Sequence, residues 1–147
     1  KTDQTTGGVV AKTDEDLAND DEDNLRNNLM IFKNADDPYF QAVYAGSSEL
    51  NGTAVETVVL LDEQGETICK LAFDAATNEL VGKSYWGEGA MGEGNIQEVF
   101  SDYKTIDGIK VPMTTTLSMN GQETGVRTYS EYQINPDIAE GTFAQPE

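Results

Sequence analysis

Apolar and polar residues alternate along most of this chain, and Asn-Gly and Asp-Gly pairs punctuate the alternation. The clearest stretch is NIQEVFSDYKTIDGIKVP, residues 95–112. It reads as a strand, a tight turn at Asp107-Gly108 and the start of a returning strand, because both central residues of the favoured hairpin turn need positive φ. Pro112 has no N–H to donate, so the returning strand should be exposed or bulged there. Met113, Thr115, Leu117 and Met119 then alternate with Thr114, Thr116 and Ser118, the period of a half-buried strand. Asn51-Gly52 and Asn120-Gly121 supply two more turns of the same kind.

The remaining strands follow from the same signals. Residues 39–50 lead into Asn51-Gly52. Residues 53–62 carry apolar side chains on both parities (Val55, Val59 and Leu61 against Val58 and Leu60), so both faces of that strand should be covered. Cys69, Leu71 and Phe73 share one face of 67–74, and 80–86 follows after another turn. GEGAMGEG, Gly87–Gly94, reads as a flexible loop, and 122–134 as the last strand. Six turns thus join seven antiparallel strands. Ahead of them one helix is predicted over about 14–34, capped by Thr13 and ended by Asp36-Asp37-Pro38. Leu25, Leu29 and Phe32 are its apolar face, with Leu17 two turns earlier. Gly7–Ala11 could end a further strand, and Ile138 and Phe143 read as plugs that pin the tail to the sheet. The fold class is α+β, mainly β: a curved antiparallel meander with one N-terminal helix, in a single domain over 1–147.

Composition narrows the chemistry. The 147 residues include 27 acidic and 9 basic side chains, a net charge of -18. Nothing here could replace the counterions of a nucleic-acid backbone, so nucleic acid is excluded as a partner. An anionic membrane surface is disfavoured for the same reason. No apolar run approaches the length of a membrane span, and the opening KTDQTTGG reads like the middle of a protein. The chain has no histidine. That removes Ser-His-Asp and Cys-His nucleophiles and every His-based zinc motif. Neither a metal nor a cofactor is expected.

Each remaining candidate has a simpler rival. The acid run at 14–23 could attract calcium, but it lacks the spacing of a calcium loop, and charge runs usually face solvent. Glu88, Glu93 and Glu98 could be imagined as a glycosidase pair, yet no spacing places two of them across a cleft. Cys69 reads as a small buried hydrophobe. Trp86 is either a ligand-stacking platform or a rim aromatic. What remains for function is the concave face of a curved sheet, where apolar ligands commonly sit.

Three motifs carry a resemblance. They are Phe73-Asp74 with Thr77 and Leu80; Ser101-Asp102-Tyr103 followed by Asp107-Gly108-Ile109-Lys110-Val111-Pro112; and Asn135-Pro136 with Ile138 and Phe143. In these the chain resembles the closing strands of the LolA/LolB-like half-barrel family, the lipoprotein-sorting and carrier proteins of the bacterial periplasm. The same pattern ends many proteins labelled insulinase-type zinc peptidases. The resemblance implies a sheet of about eleven strands curved round helices, with an apolar hollow for lipid or lipoprotein acyl chains and a place in the cell envelope. It also implies that this chain is the C-terminal part of a larger half-barrel. The zinc-peptidase motif is missing, so the stretch is read as non-enzymatic.

The ligand-binding residues expected on these grounds are Val59, Leu61, Leu71, Phe73, Trp86, Leu117 and Met119. The occupant is an apolar small molecule or an acyl chain, with a partner domain or self-association as the other way to cover the face. A ligand-free structural or interaction domain of a larger envelope protein is the competing reading.

Overall fold

The computed structural model describes residues 11–89, 91–139 and 141–142. Apart from Ala11, the strand end expected at Gly7–Ala11 lies outside them, as does the Phe143 plug. The chain divides into two compact units: the residues up to Lys33 together with those from Gln133 onward, and residues 34–132.

The first unit holds two helices among the described residues, α1 (Asp14–Leu25) and α2 (Asn28–Lys33). The Leu17 N–H donates to the Thr13 carbonyl at 3.0 Å, so Thr13 is the N-cap expected from sequence. The single helix over 14–34 is corrected to a broken one. Asn27 Oδ1 accepts the N–H groups of Leu29 (3.0 Å) and Met30 (3.3 Å), which makes Asn27 the cap of a new helix. The break resets the helical phase. Ile31 is the residue buried, and Leu29 and Phe32, expected on the apolar face, are exposed. Ile138, expected as a plug, is exposed as well.

The second unit is an open antiparallel sheet in strict sequence order, β1 (Gln41–Leu50), β2 (Thr53–Leu61), β3 (Thr67–Asp74), β4 (Leu80–Gly89), β5 (Gly92–Ile106), β6 (Ile109–Met119) and β7 (Gln122–Thr128). The predicted meander of seven strands is therefore present, and its edges are β1 and β7. β7 stops at Thr128, short of the predicted 134. Its last tie is the Tyr129 N–H donating to the Met113 carbonyl at 2.8 Å. Pro112, opposite Tyr103, lies just past the last β6–β7 pair, Thr114 with Thr128. Its missing donor therefore leaves the β6–β7 ladder intact.

Turn chemistry sets the register. Asn51-Gly52, Asp107-Gly108 and Asn120-Gly121 have φ values of 49°/83°, 49°/83° and 50°/81°, the two positive-φ positions of a type I′ turn. Two longer turns are built on an aspartate. Asp74 Oδ1 accepts the N–H groups of Ala76 and Thr77, both at 2.8 Å. Asp62 Oδ1 does the same for Gln64 (2.9 Å) and Glu66 (2.8 Å). The backbone donors of Thr77 and Ala76 hold the Asp74 carboxyl below its ordinary range.

The glycine loop predicted at Gly87–Gly94 is corrected. β4 and β5 stay paired through it, with Gly87 opposite Gly94, Glu88 opposite Glu93 and Gly89 opposite Gly92. The glycines make room for neighbouring side chains. A β-carbon on Gly94 would lie 2.5 Å from Asn120 Nδ2 and 2.9 Å from Met119 Cε, and one on Gly89 would lie 3.2 Å from Met119 Sδ. Asn120 ties this end of the sheet: its Oδ1 accepts the Asn95 N–H at 3.0 Å, and its N–H donates to the Asn95 carbonyl at 2.8 Å.

Candidate functional site

Residues directly opposite in an antiparallel ladder share a face, so the register sorts every side chain. One row runs Leu117, Glu98, Lys83, Leu71, Val58, Tyr44 across β6 to β1. The residues two away along each strand extend the same face. On β6 these are Val111, Met113, Thr115 and Met119, on β5 Ile96 and Phe100, and on β3 Cys69 and Phe73. Most are buried, and Met119 at 2% and Leu71 at 4% are nearly inaccessible. Leu117 and Phe73 are half-buried. The alternation predicted for residues 113–119 holds at Met113, Thr115 and Met119, which are buried beside half-buried neighbours, whereas Leu117 is half-buried like Thr116 and Ser118.

Four of the seven predicted site residues, Leu71, Phe73, Leu117 and Met119, lie together on this apolar face. Val59, Leu61 and Trp86 lie on the other, because Val59 is opposite Lys70, Leu61 opposite Gln41, and Trp86 opposite Asn95. The glutamates also separate: Glu88 and Glu93 face each other on the opposite face, and Glu98 is on the apolar one. Directly opposed like charges weaken a hairpin and do not form an acid/base pair across a cleft. Among the described residues no group of three Cys, Asp or Glu side chains is arranged to hold a metal.

Sequence reasoning missed a polar cluster at the centre of the apolar face. Lys83 Nζ is 3.5 Å from Glu98 Oε2, with the two side chains only 7% and 14% exposed. The Tyr85 hydroxyl donates to Glu98 Oε1 at 3.3 Å, and Lys83 Nζ lies 5.6 Å from the centre of the Tyr85 ring. Leu71 and Leu117 flank the pair in the same row. One signal was available: Ile96, Glu98 and Phe100 alternate with period two, which puts a carboxylate at an inward position.

A second polar tie lies where the β4–β5 ladder ends. The Tyr103 hydroxyl donates to the Leu80 carbonyl, and Lys110 pairs with Glu79. Burial first, and then the charge of Glu79, pushes the Tyr103 phenol from 10.0 up to about 12. A folded-state pKa above the unfolded one means that the folded chain holds this proton more tightly. The contribution is complete below pH 10 and is lost as pH rises toward 12. Melts across that range should therefore fall more steeply for the natural chain than for Tyr103→Phe. Parallel curves would show that the phenol is not protected.

The other face carries a cavity of about 200 Å³ over Thr57, Lys70, Ala72, Gly82, Ser84 and Gln97. That is below the roughly 300 Å³ at which ligand pockets for larger organic molecules begin.

The site is thus an apolar sheet face with an internally paired polar centre, on an open antiparallel meander. No protein-family model matches the chain, and no curated protein does. Among solved structures it is similar to a domain from Vibrio parahaemolyticus provisionally named as an outer membrane lipoprotein-sorting protein, with a TM-score of 0.42, 12% identity and coverage of 66% of this chain and 45% of that one. It is also similar to a DUF1329 family protein from Desulfovibrio piger, with a TM-score of 0.42, 11% identity and coverage of 65% and 43%. The chain spans less than half the length of either.

Proposed function

We propose that this chain is part of a non-enzymatic domain of the bacterial periplasm or cell envelope, and that its apolar sheet face takes an apolar ligand such as a lipid or the acyl chains of a lipoprotein. The observation that carries this reading is the grouping of Leu71, Phe73, Leu117 and Met119 on one face. At the centre of that face the charges of Lys83 and Glu98 already satisfy each other. An acyl chain laid along Leu117 and Phe73 would remove apolar surface from water at about 25 cal/mol per Å² without stranding a polar group. Met119 would adapt to it through its flexible thioether.

One observation favours the competing reading, a ligand-free interaction domain: Leu71 and Met119 are already almost wholly covered. The two readings separate in one experiment. A fluorescent fatty-acyl probe is expected to bind at moderate salt, and Leu117→Glu is expected to weaken it by about tenfold or more. A protein that ignores the probe and runs as a monodisperse monomer would favour the interaction domain. Binding that is indifferent to Leu117→Glu would move the ligand off this face.

A further inference from the structure

We infer that the opposite face of the sheet carries a separate site for a neutral polyhydroxylated ring, one sugar unit of an oligosaccharide, with Trp86 as its stacking platform. Trp86 is the chain's one tryptophan. It is 65% exposed although it sits inside a paired strand, opposite Asn95. Among the described residues its ring meets no other aromatic ring and its N–H no acceptor. A large exposed indole on a paired strand offers much surface at little cost in conformational entropy.

Its neighbours supply the polar contacts. Two positions back on the same face, about 7 Å along the strand, is Ser84. It belongs to a row in which Lys70 is opposite Ser84 and Ser84 opposite Gln97. Adjacent members of such a row stand about 5 Å apart. These three side chains line the cavity of about 200 Å³ and make no hydrogen bond to other described residues, which leaves their donors and acceptors open to a ligand there. The next row along, Thr57, Ala72, Gly82, gives that cavity a small-residue floor.

The wall is built by β1. Its register with β2 shifts between Tyr44 and Gly46, where Gly46 has φ 105°. Past the bulge, Leu50 crosses to Gly82, where a β-carbon would come within 2.5 Å of Leu50 Cδ2. Glycine at 82 is what lets this wall close.

Charge and size select the ligand. Lys70 is exposed to water, so a charge on the ligand gains little from it, and the net charge of -18 repels anions. The cavity is too small for an acyl chain. Ring hydroxyls both donate and accept, as Ser84 and Gln97 do, while the C–H face of a pyranose suits the indole.

The single tryptophan makes the test direct. Maltotriose, cellotriose and tri-N-acetylchitotriose are titrated into the whole chain by fluorescence and by calorimetry. At least one should give a saturable blue shift with matching heat. By calorimetry, Trp86→Ala should lose at least about tenfold in affinity, Gln97→Ala several-fold, and Lys110→Met, at an exposed ion pair away from the cavity, nothing. Silence with all three sugars overturns the inference, and so does binding that ignores both Trp86→Ala and Gln97→Ala. An acyl probe that shifts Trp86 emission and is lost in Trp86→Ala also overturns it, by giving the platform to the apolar ligand. Sugar binding without acyl binding would reject the proposed function and leave this site standing.

Discussion

Lys83→Met is expected to destabilise the sheet by about 3 kcal/mol, and Lys83→Met combined with Glu98→Leu to recover most of that loss. The single change leaves Glu98, 14% exposed, with the Tyr85 hydroxyl in place of its ion partner. Removing one member of a buried pair typically costs about 3–5 kcal/mol, whereas replacing both with apolar side chains of similar volume is often neutral. The remaining water access of Glu98 sets the expectation at the low end. A control lies in the same sheet: Lys110 pairs with Glu79, but its side chain is 62% exposed. Lys110→Met should therefore change stability by less than about 1 kcal/mol. Urea denaturation of the four proteins at neutral pH distinguishes these outcomes. Equal losses for Lys83→Met and Lys110→Met would mean that the central pair is solvated. A double variant as unstable as the single would mean that Lys83 acts through its packing.

The meander was legible in the sequence because its turns are enforced by backbone sterics. Asn-Gly and Asp-Gly pairs accept two successive positive φ values that few other pairs tolerate, and three such pairs fix three hairpins. The same holds for the motifs behind the family resemblance. In FDAATNEL the aspartate caps its own turn, and in DGIKVP the turn is type I′. Those motifs therefore specify how the chain folds back, and they carry no direct information about a ligand.

What could not be read depends on contacts distant in sequence. A glycine run has no side-chain period, so Gly87–Gly94 looked like a loop until Met119 and Asn120 of another hairpin were placed against it. Asn27 looked like a poor interior helix residue and proved to be a cap. The split of the predicted site residues has a related cause. Parity within one strand is visible, but its alignment with the next strand requires the register. Here the register pairs Leu71 with Val58 and Cys69 with Leu60, which sends Val59 and Leu61 to the other face. The Lys83–Glu98 pair was hidden in the same way: its inward carboxylate had a sequence signal, and its partner on another strand had none.

Valine scanning of three glycines should rank them by what each must accommodate, with Gly94 first, Gly108 second and Gly89 last. Gly108 has φ 83° and open space around its α-carbon, so its penalty is backbone strain alone, about 1–3 kcal/mol for a β-branched residue. Gly94 is buried, and a β-carbon there would collide with both polar atoms of the Asn120 side chain, at 2.5 and 2.7 Å. Moving Asn120 aside would strand the Asn95 N–H that it accepts, adding the loss of a hydrogen bond to the overpacking, for a total above about 3 kcal/mol. Gly89 meets mainly Met119 Sδ at 3.2 Å, on a flexible side chain that can give way, so its loss should stay near about 1 kcal/mol. Chemical denaturation midpoints at constant slope measure all three. If Gly94→Val and Gly89→Val were equally mild, the end of the β4–β5 hairpin would be a loop after all. If Gly94→Val alone were severe, the glycine-rich stretch would be confirmed as the floor on which Met119 and Asn120 close the sheet.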